Sequence, residues 1–310
     1  MNLAPYVQIA RVDHWFKNVF VLPGVVFAIY DSPAIVGWEL AIRVVLALLA
    51  IGLVASSNYV INEILDAPND ALHPVKKNRP VPSGLIDKRL GYVEWLGLAV
   101  LGFAISASLG GRFVAVAAVL WIMGFLYNVP PIRLKDKPYL DVLSESANNP
   151  LRLLVGWYAA GMTQIPPASL VAAYWMIGAF FMSVKRFAEF RRIGDVKVAA
   201  QYRASFAHYT EERLWISAIY YAVAFGLFFG IFIMRYRLEL LLSIPFIAGV
   251  IGYYIHLGFL TDSPAQYPEH LYKQKGFVLF MTLCVIVMLV LLFLDVPVLL
   301  EIFVPTIRVQ

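Results

Sequence analysis

Residues 62–80 read NEILDAPNDALHPVKKNRP and follow without a break on VVLALLAIGLVASSNYVI, residues 44–61. A run of apolar residues long enough to cross a hydrocarbon core of about 30 Å thus ends in three carboxylates, and cations follow within a few positions. On a helix, Asn62, Asp66 and Asp70, spaced by four, rotate only about 40° per step, so they share a face with Glu63 beside Asn62. Acidic groups at a span's end are expensive and face a cavity or a partner. Carboxylates plus an amide oxygen are hard donors suited to Mg²⁺, which takes one or two carboxylates and completes its shell with substrate phosphate oxygens. The pattern therefore predicts a divalent ion and a phosphorylated ligand, with Lys76, Lys77 and Arg79 placed to hold phosphate oxygens. The rival reading of those cations is anchorage to lipid head groups.

The rest of the 310-residue chain agrees with a membrane setting, being 61% hydrophobic and 15% charged with a mean hydropathy of +0.73. These values exclude an ordinary soluble domain, and continuous apolar runs favour helices over a barrel. About nine spans are predicted, near residues 18–31, 40–64, 91–109, 113–128, 141–160, 168–187, 214–234, 238–258 and 277–300. No cleavable signal is expected, since the apolar run begins only after Lys17. Cations concentrate in the connections after the second, fourth and sixth spans, which the positive-inside rule places in the cytoplasm with the N-terminus. Arg235 and Arg237 on the opposite side run against that rule. The net charge of +5 suits lipid head groups or phosphates, and no nucleic-acid partner is expected. The single cysteine, Cys284, lies in an apolar run and reads as a core thiol, and the five histidines show no metal-ligand spacing.

Two further polar clusters interrupt the apolar pattern. YNVPPIRLKDKPYLDVLSESANNPLRLLVG, residues 127–156, carries Tyr127 and Lys135 into a predicted helix on which Asp141, Glu145, Asn148 and Arg152 share a face. FFMSVKRFAEFRRIGD, residues 180–195, places Lys185, Glu189 and Arg192 on one face with Arg186 beside them. Asp141 also suits a helix N-terminus, Arg152 a structural bridge to a nearby acid, and Lys185 and Arg186 a snorkelling helix end.

The N-E-x-x-D-x-x-x-D run from Asn62 to Asp70, closed by HPxKKxRPxxSG from His73 to Gly84, resembles the first signature of the UbiA superfamily of intramembrane prenyltransferases. Glu63 stands where the family usually has Asp. The segments KRxAE (185–189), RLKxxPxLD (133–141) and DSPAQYPEHLYKQK (262–275) look like the branch that uses polyprenyl phosphate as a phosphoribosyl acceptor. The resemblance implies an all-α bundle around a polar cavity open to the cytoplasm, as one domain with pseudo-repeats at 15–135 and 136–260 and a last helix at 277–300. It implies an enzyme of the bacterial inner membrane, in lipid biosynthesis for the cell envelope. Asn62, Glu63, Asp66 and Asp70 would bind Mg²⁺; Asp66, Asp70, Asp141 and Lys135 would be catalytic. Lys76, Lys77, Arg79, Tyr127, Glu145, Asn148, Arg152, Lys185, Arg186 and Glu189 would bind substrate.

The partners implied are a polyprenyl phosphate or diphosphate lipid, phosphoribosyl diphosphate or an aromatic acceptor, membrane lipids, and a second copy of the chain in a homo-oligomer. Metal ligands alone do not separate phosphoribosyl transfer to a polyprenyl phosphate from prenyl transfer to an aromatic acceptor. Asn148, Arg152, Lys185, Arg186 and Glu189 tilt the reading to the former, because a phosphorylated ribose needs donors where an allylic cation needs apolar and aromatic walls. A transporter using the acids for ion coupling is the reading of a different class.

Overall fold

The computed structural model describes residues 3–71 and 76–303, without the side chains of Asn69, Pro268 and Glu269. Among the described residues the chain is helical throughout, and eight helical segments are long and apolar enough to cross a membrane. It divides into two compact units, Met1–Pro166 with Ala200–Ala207, and Pro167–Ala199 with His208–Gln310.

The first unit is built from α1 (Ala4–Ile9), a 3₁₀ segment (Val12–Val21), α2 (Leu22–Asp31), α3 (Trp38–Asp70), α4 (Lys88–Leu109), α5 (Gly111–Asn128), α6 (Leu140–Ser146) and α7 (Asn148–Ala159). The 33-residue α3 is its axis, packed against α4, α5 and α7. Glycines set the closest approaches. A Cβ on Gly124 would lie 2.1 Å from the Asn58 side chain, so α5 meets α3 one turn before Asn62, and Asn58 donates to Leu120 O at 3.2 Å. Trp15 donates to Ser56 Oγ at 2.9 Å, tying the N-terminal segment to the same helix.

On the far end of α3, Arg43 donates to Ala159 O at 2.7 Å and Leu109 O at 3.1 Å. One cation thus caps the carboxyl ends of α7 and α4, where helix dipoles favour positive charge.

The fifth expected span, 141–160, is built as two short helices that part at Ala147. Pro150 gives the physical reason. It lacks an N–H to bond Ser146 O, and its ring crowds that carbonyl, so an unbroken helix is disfavoured there, whereas a first-turn proline in α7 is tolerated.

The second unit contains α8 (Ala168–Ile193), most of α9 (Val196–Tyr202), α10 (Glu211–Tyr236), a 3₁₀ segment (Leu238–Ser243), α11 (Ile244–Phe259), α12 (Lys275–Phe293) and α13 (Pro297–Ile302). Gly194, at φ 71°, ends α8 in the left-handed conformation that an L side chain resists. Thr210 caps α10 by accepting from Arg213 N at 3.1 Å. Arg237, one of the two cations that oppose the charge rule, pairs with Asp295 at 2.7 Å and Glu239 at 3.2 Å and donates to Leu291 O at 3.1 Å. That cation therefore serves as a clasp between α10 and α12. Cys284 is a buried free thiol, as expected.

Candidate functional site

The acidic end of α3 meets the loop after α5. Lys135, 8% exposed, places its ammonium 2.6 and 2.8 Å from the two Asp66 oxygens, 3.0 Å from Asn62 Oδ1 and 3.1 Å from Asn128 Oδ1. Four oxygens thus surround one positive charge. Asn128 is itself fixed by donating to Gly124 O at 2.8 Å, so the close α3–α5 approach aims both amide oxygens at one point. Arg133 donates to Asp66 Oδ1 at 2.9 Å and to Asp136 Oδ2 at 2.7 Å, from a left-handed backbone at φ 33°. Burial pushes the Lys135 ammonium below its ordinary range, and Asp66 opposes that shift.

One turn further on, Asp70 accepts from Arg79 Nη1 at 2.7 Å and lies 3.8 Å from Lys76 Nζ. Lys76 sits on a 3₁₀ turn (Lys76–Asn78) with Lys77, which is exposed. Its ammonium is also pushed down, first by burial, and the neighbouring Arg79 and Arg203 add to the effect while Asp70 opposes it. The His73–Pro74 part of the first signature lies outside the described residues.

Glu63 does not join Asn62, Asp66 and Asp70. It is 2% exposed, accepts from Val81 N at 3.2 Å and lies 3.9 Å from Arg11 Nη2. A single step along a helix turns a side chain by about 100°, which carries Glu63 off the face of its neighbours and onto the loop that follows α3. Of the four residues expected to bind metal, Asn62 and Asp66 thus meet at Lys135, Asp70 meets Arg79, and Glu63 faces the Val81 backbone. Among the described residues, no three His, Cys, Asp or Glu side chains converge as a metal site.

The residues expected on one face after Tyr139 also separate. Asp141 is fully buried, accepts from Ser205 Oγ at 3.2 Å and lies 4.0 Å from Arg203 Nη1. Glu145 instead accepts from Tyr127 OH at 2.9 Å. Asn148 donates to Glu145 O at 3.0 Å, and Arg152 reaches Asn18 Oδ1 at 3.4 Å and Asn148 O at 3.5 Å. Asn18 is 4% exposed and had no sequence signal, since an isolated amide between Lys17 and an apolar run reads as the polar start of a span.

In the second unit, Arg186 is 1% exposed and bonds Glu189 at 2.9 Å, while Lys185 lies 4.0 Å from the same carboxylate. Arg192 donates to Tyr267 OH at 2.9 Å and Gln266 Oε1 at 3.3 Å, joining the end of α8 to the 262–275 segment.

Comparison with known proteins follows the same lines. The model of the UbiA prenyltransferase family matches residues 19–278. The decaprenyl-phosphate phosphoribosyltransferase of Mycolicibacterium smegmatis is 29% identical over 226 residues, covering 71% of this chain and 69% of that protein. Its namesake in Corynebacterium glutamicum is 31% identical over 215 residues, covering 69% of this chain and 62% of the relative. In three dimensions the chain matches a UbiA homolog from Archaeoglobus fulgidus bound to DMAPP and Mg²⁺, with a TM-score of 0.67, 21% identity, and coverage of 92% of this chain and 99% of that one. At that identity the likeness is one of fold.

Proposed function

The chain belongs to the UbiA prenyltransferase family, and we propose that it transfers 5-phosphoribosyl from 5-phosphoribosyl 1-diphosphate to a polyprenyl phosphate. The observation that carries this reading is the polar run beside the acidic helix end, in which Tyr127, Glu145, Asn148, Arg152 and Asn18 are joined by hydrogen bonds. In this reading the run offers donors and acceptors to a sugar phosphate, and it would be a poor wall for an allylic cation. Two relatives with the phosphoribosyltransferase name, each aligned over roughly seven-tenths of this chain, support it.

In this reading a polyprenyl phosphate oxygen attacks the anomeric carbon, the carbon–oxygen bond to diphosphate breaks, and diphosphate leaves with the electron pair. Lys76, Lys77 and Arg79 hold its oxygens, and Lys135 and Arg133 stabilise the charge that develops on it. Tyr127, Glu145, Asn148 and Arg152 orient the ribose. Lys185 and Arg186, steadied by Glu189, are the proposed ligands of the 5-phosphate or the lipid phosphate. The basic loops support a reading in which this chemistry takes place on the cytoplasmic side of the membrane, and the bacterial relatives support a bacterial inner membrane.

The donors fit Mg²⁺, because oxygens of Asn62 and Asp66 already gather around a cation, the Lys135 ammonium, and Asp70 continues their face. Asn62, Asp66 and Asp70 would hold the ion together with phosphate oxygens, and bound there it would neutralise the diphosphate and make it a better leaving group. Lys135 then competes with metal until an anion draws it away. Replacing it by Lys135→Met is expected to raise the affinity of the substrate-free protein for Mn²⁺ by about tenfold or more, the equivalent of ~1.4 kcal/mol, read from the paramagnetic resonance of free Mn²⁺. Equal binding by the two proteins refutes the shared cation seat.

The reaction itself is tested by incubating purified protein and Mg²⁺ with labelled phosphoribosyl diphosphate plus polyprenyl phosphate, and separately with polyprenyl diphosphate plus 4-hydroxybenzoate. A labelled lipid in the first mixture is expected. Product in the second mixture alone replaces this reading by prenyl transfer.

A further inference from the structure

The segment Ala200–Ala207 belongs in sequence to the connection after α8, yet it packs as part of the first unit. Phe206 is completely buried there and stacks at 6.4 Å on Tyr202. Two contacts hold the segment to the site. Lys76 Nζ lies 5.1 Å from the centroid of the Tyr202 ring, and Asp141 takes the Ser205 hydroxyl at 3.2 Å with Arg203 Nη1 at 4.0 Å. Arg203 thus lies beside the acid in the first turn of α6 and directly follows the tyrosine that Lys76 meets, and its side chain keeps 22% of its surface exposed. Lys76 and Arg79 keep 30% and 27%.

We infer that Arg203 is a phosphate-binding residue of this site, acting with Lys76 and Arg79 on the diphosphate, and that Asp141 is the positioning residue that aims it. The inference rests on the proposed phosphoribosyl reading for the identity of the substrate, while the diphosphate it assigns to Arg203 is common to both family reactions. Cations gathered at a partly open surface repel one another, and a bound anion relieves that repulsion. Lys76 and Arg79 converge on Asp70, and Lys76 also meets the ring of Tyr202, the residue before Arg203. A planar guanidinium suits a diphosphate, because its fork can donate to two oxygens at once. Asp141, buried from solvent and occupied by Ser205 and Arg203, is placed to fix the segment and not to meet a ligand. This moves Asp141 from the catalytic set to a supporting one.

The test uses the full chain in detergent with Mg²⁺ and follows binding of inorganic diphosphate and of labelled phosphoribosyl diphosphate. Arg203→Gln is expected to weaken both by about tenfold or more, the range of losing a charge-assisted pair, and Arg203→Lys to restore part of the loss. Polyprenyl phosphate binding is expected to stay unchanged. Asp141→Asn weakens diphosphate binding in the wild-type background and adds little in Arg203→Gln, because it acts through the arginine. Should the buried acid be needed for folding, Ser205→Ala replaces it in the same cycle. Unchanged diphosphate binding in Arg203→Gln overturns the inference, as does a full additive effect of the second substitution. A wild-type protein that binds inorganic diphosphate but not phosphoribosyl diphosphate overturns the phosphoribosyl reading and leaves the role of Arg203 to be judged on the diphosphate alone.

Discussion

Asp66→Asn is expected to lower turnover by about 10²–10³-fold or more, the range for removing one preorganised charge from a site that stabilises a leaving group. The magnitude follows from position. Asp66 is the acid that both Lys135 and Arg133 engage, at 2.6 and 2.9 Å, and its neighbours Asn62 and Asp70 share its helix face. The isosteric amide keeps hydrogen-bonding capacity and removes only charge. The three side chains are 10–19% exposed, so breaking the pairs destabilises less than the about 3–5 kcal/mol of a fully buried pair. The variant is therefore expected to insert and to unfold at a slightly lower temperature than wild type, with its substrate-dependent signal lost. Full activity in a folded Asp66→Asn protein removes the metal assignment, whereas a protein that no longer inserts shows Asp66 to be structural.

The parts of this site that were legible in sequence are those whose members lie within one helical period of each other. Asn62, Asp66 and Asp70 needed only the spacing of four to be placed on a face, and the all-α membrane fold needed only the length of the apolar runs. Contacts that cross between elements gave no such signal. Lys135 meets Asp66 across 69 positions, and its other partner Asn128 reads as the polar end of a span. Glu63 was grouped with Asn62, Asp66 and Asp70 because it stands at an acidic position of the signature, and the spacing gave no hint that the backbone N–H of Val81 would meet its carboxylate. A buried amide without a partner is costly, and sequence does not say which side chain will meet it.

Asp141 and Glu145 illustrate the converse error. Their i, i+4 spacing is sound on a helix, yet shared direction is not a shared partner, and one turned to Ser205 and the other to Tyr127. The segment carrying Ser205 and Arg203 read only as a basic cytoplasmic loop, because its value lies in where the chain returns and not in its composition. The same holds for Arg133, which counted as one more loop cation until the fold set it on Asp66.

Gly156→Val is expected to be strongly destabilising, and it connects packing to the site. A Cβ at Gly156 would lie 2.0 Å from Val21 O, 2.9 Å from Val25 N and 3.1 Å from Gly24 Cα. The reciprocal Cβ at Gly24 would lie 1.9 Å from Leu153 O. Backbone meets backbone at this crossing of α2 and α7, so no flexible side chain is present to yield, and the helices must separate. Small residues at such crossings supply the close van der Waals contact that holds helices together in lipid. Separation would loosen the core of Val21, Val25, Leu151 and Val155 and carry Arg152, one turn before Gly156, away from Asn18. Overpacking of this kind costs about 3 kcal/mol or more, seen as a lower unfolding midpoint in detergent and as weaker ribose-phosphate binding in whatever folds. Gly97→Ala is the control, since its Cβ would meet nothing within 4 Å, and a glycine replaced by alanine inside an exposed helical stretch gains about 0.5–1 kcal/mol. A Gly156→Val midpoint equal to that of Gly97→Ala would show that the two helices do not touch through their glycines, and the placement of Arg152 would then need another support.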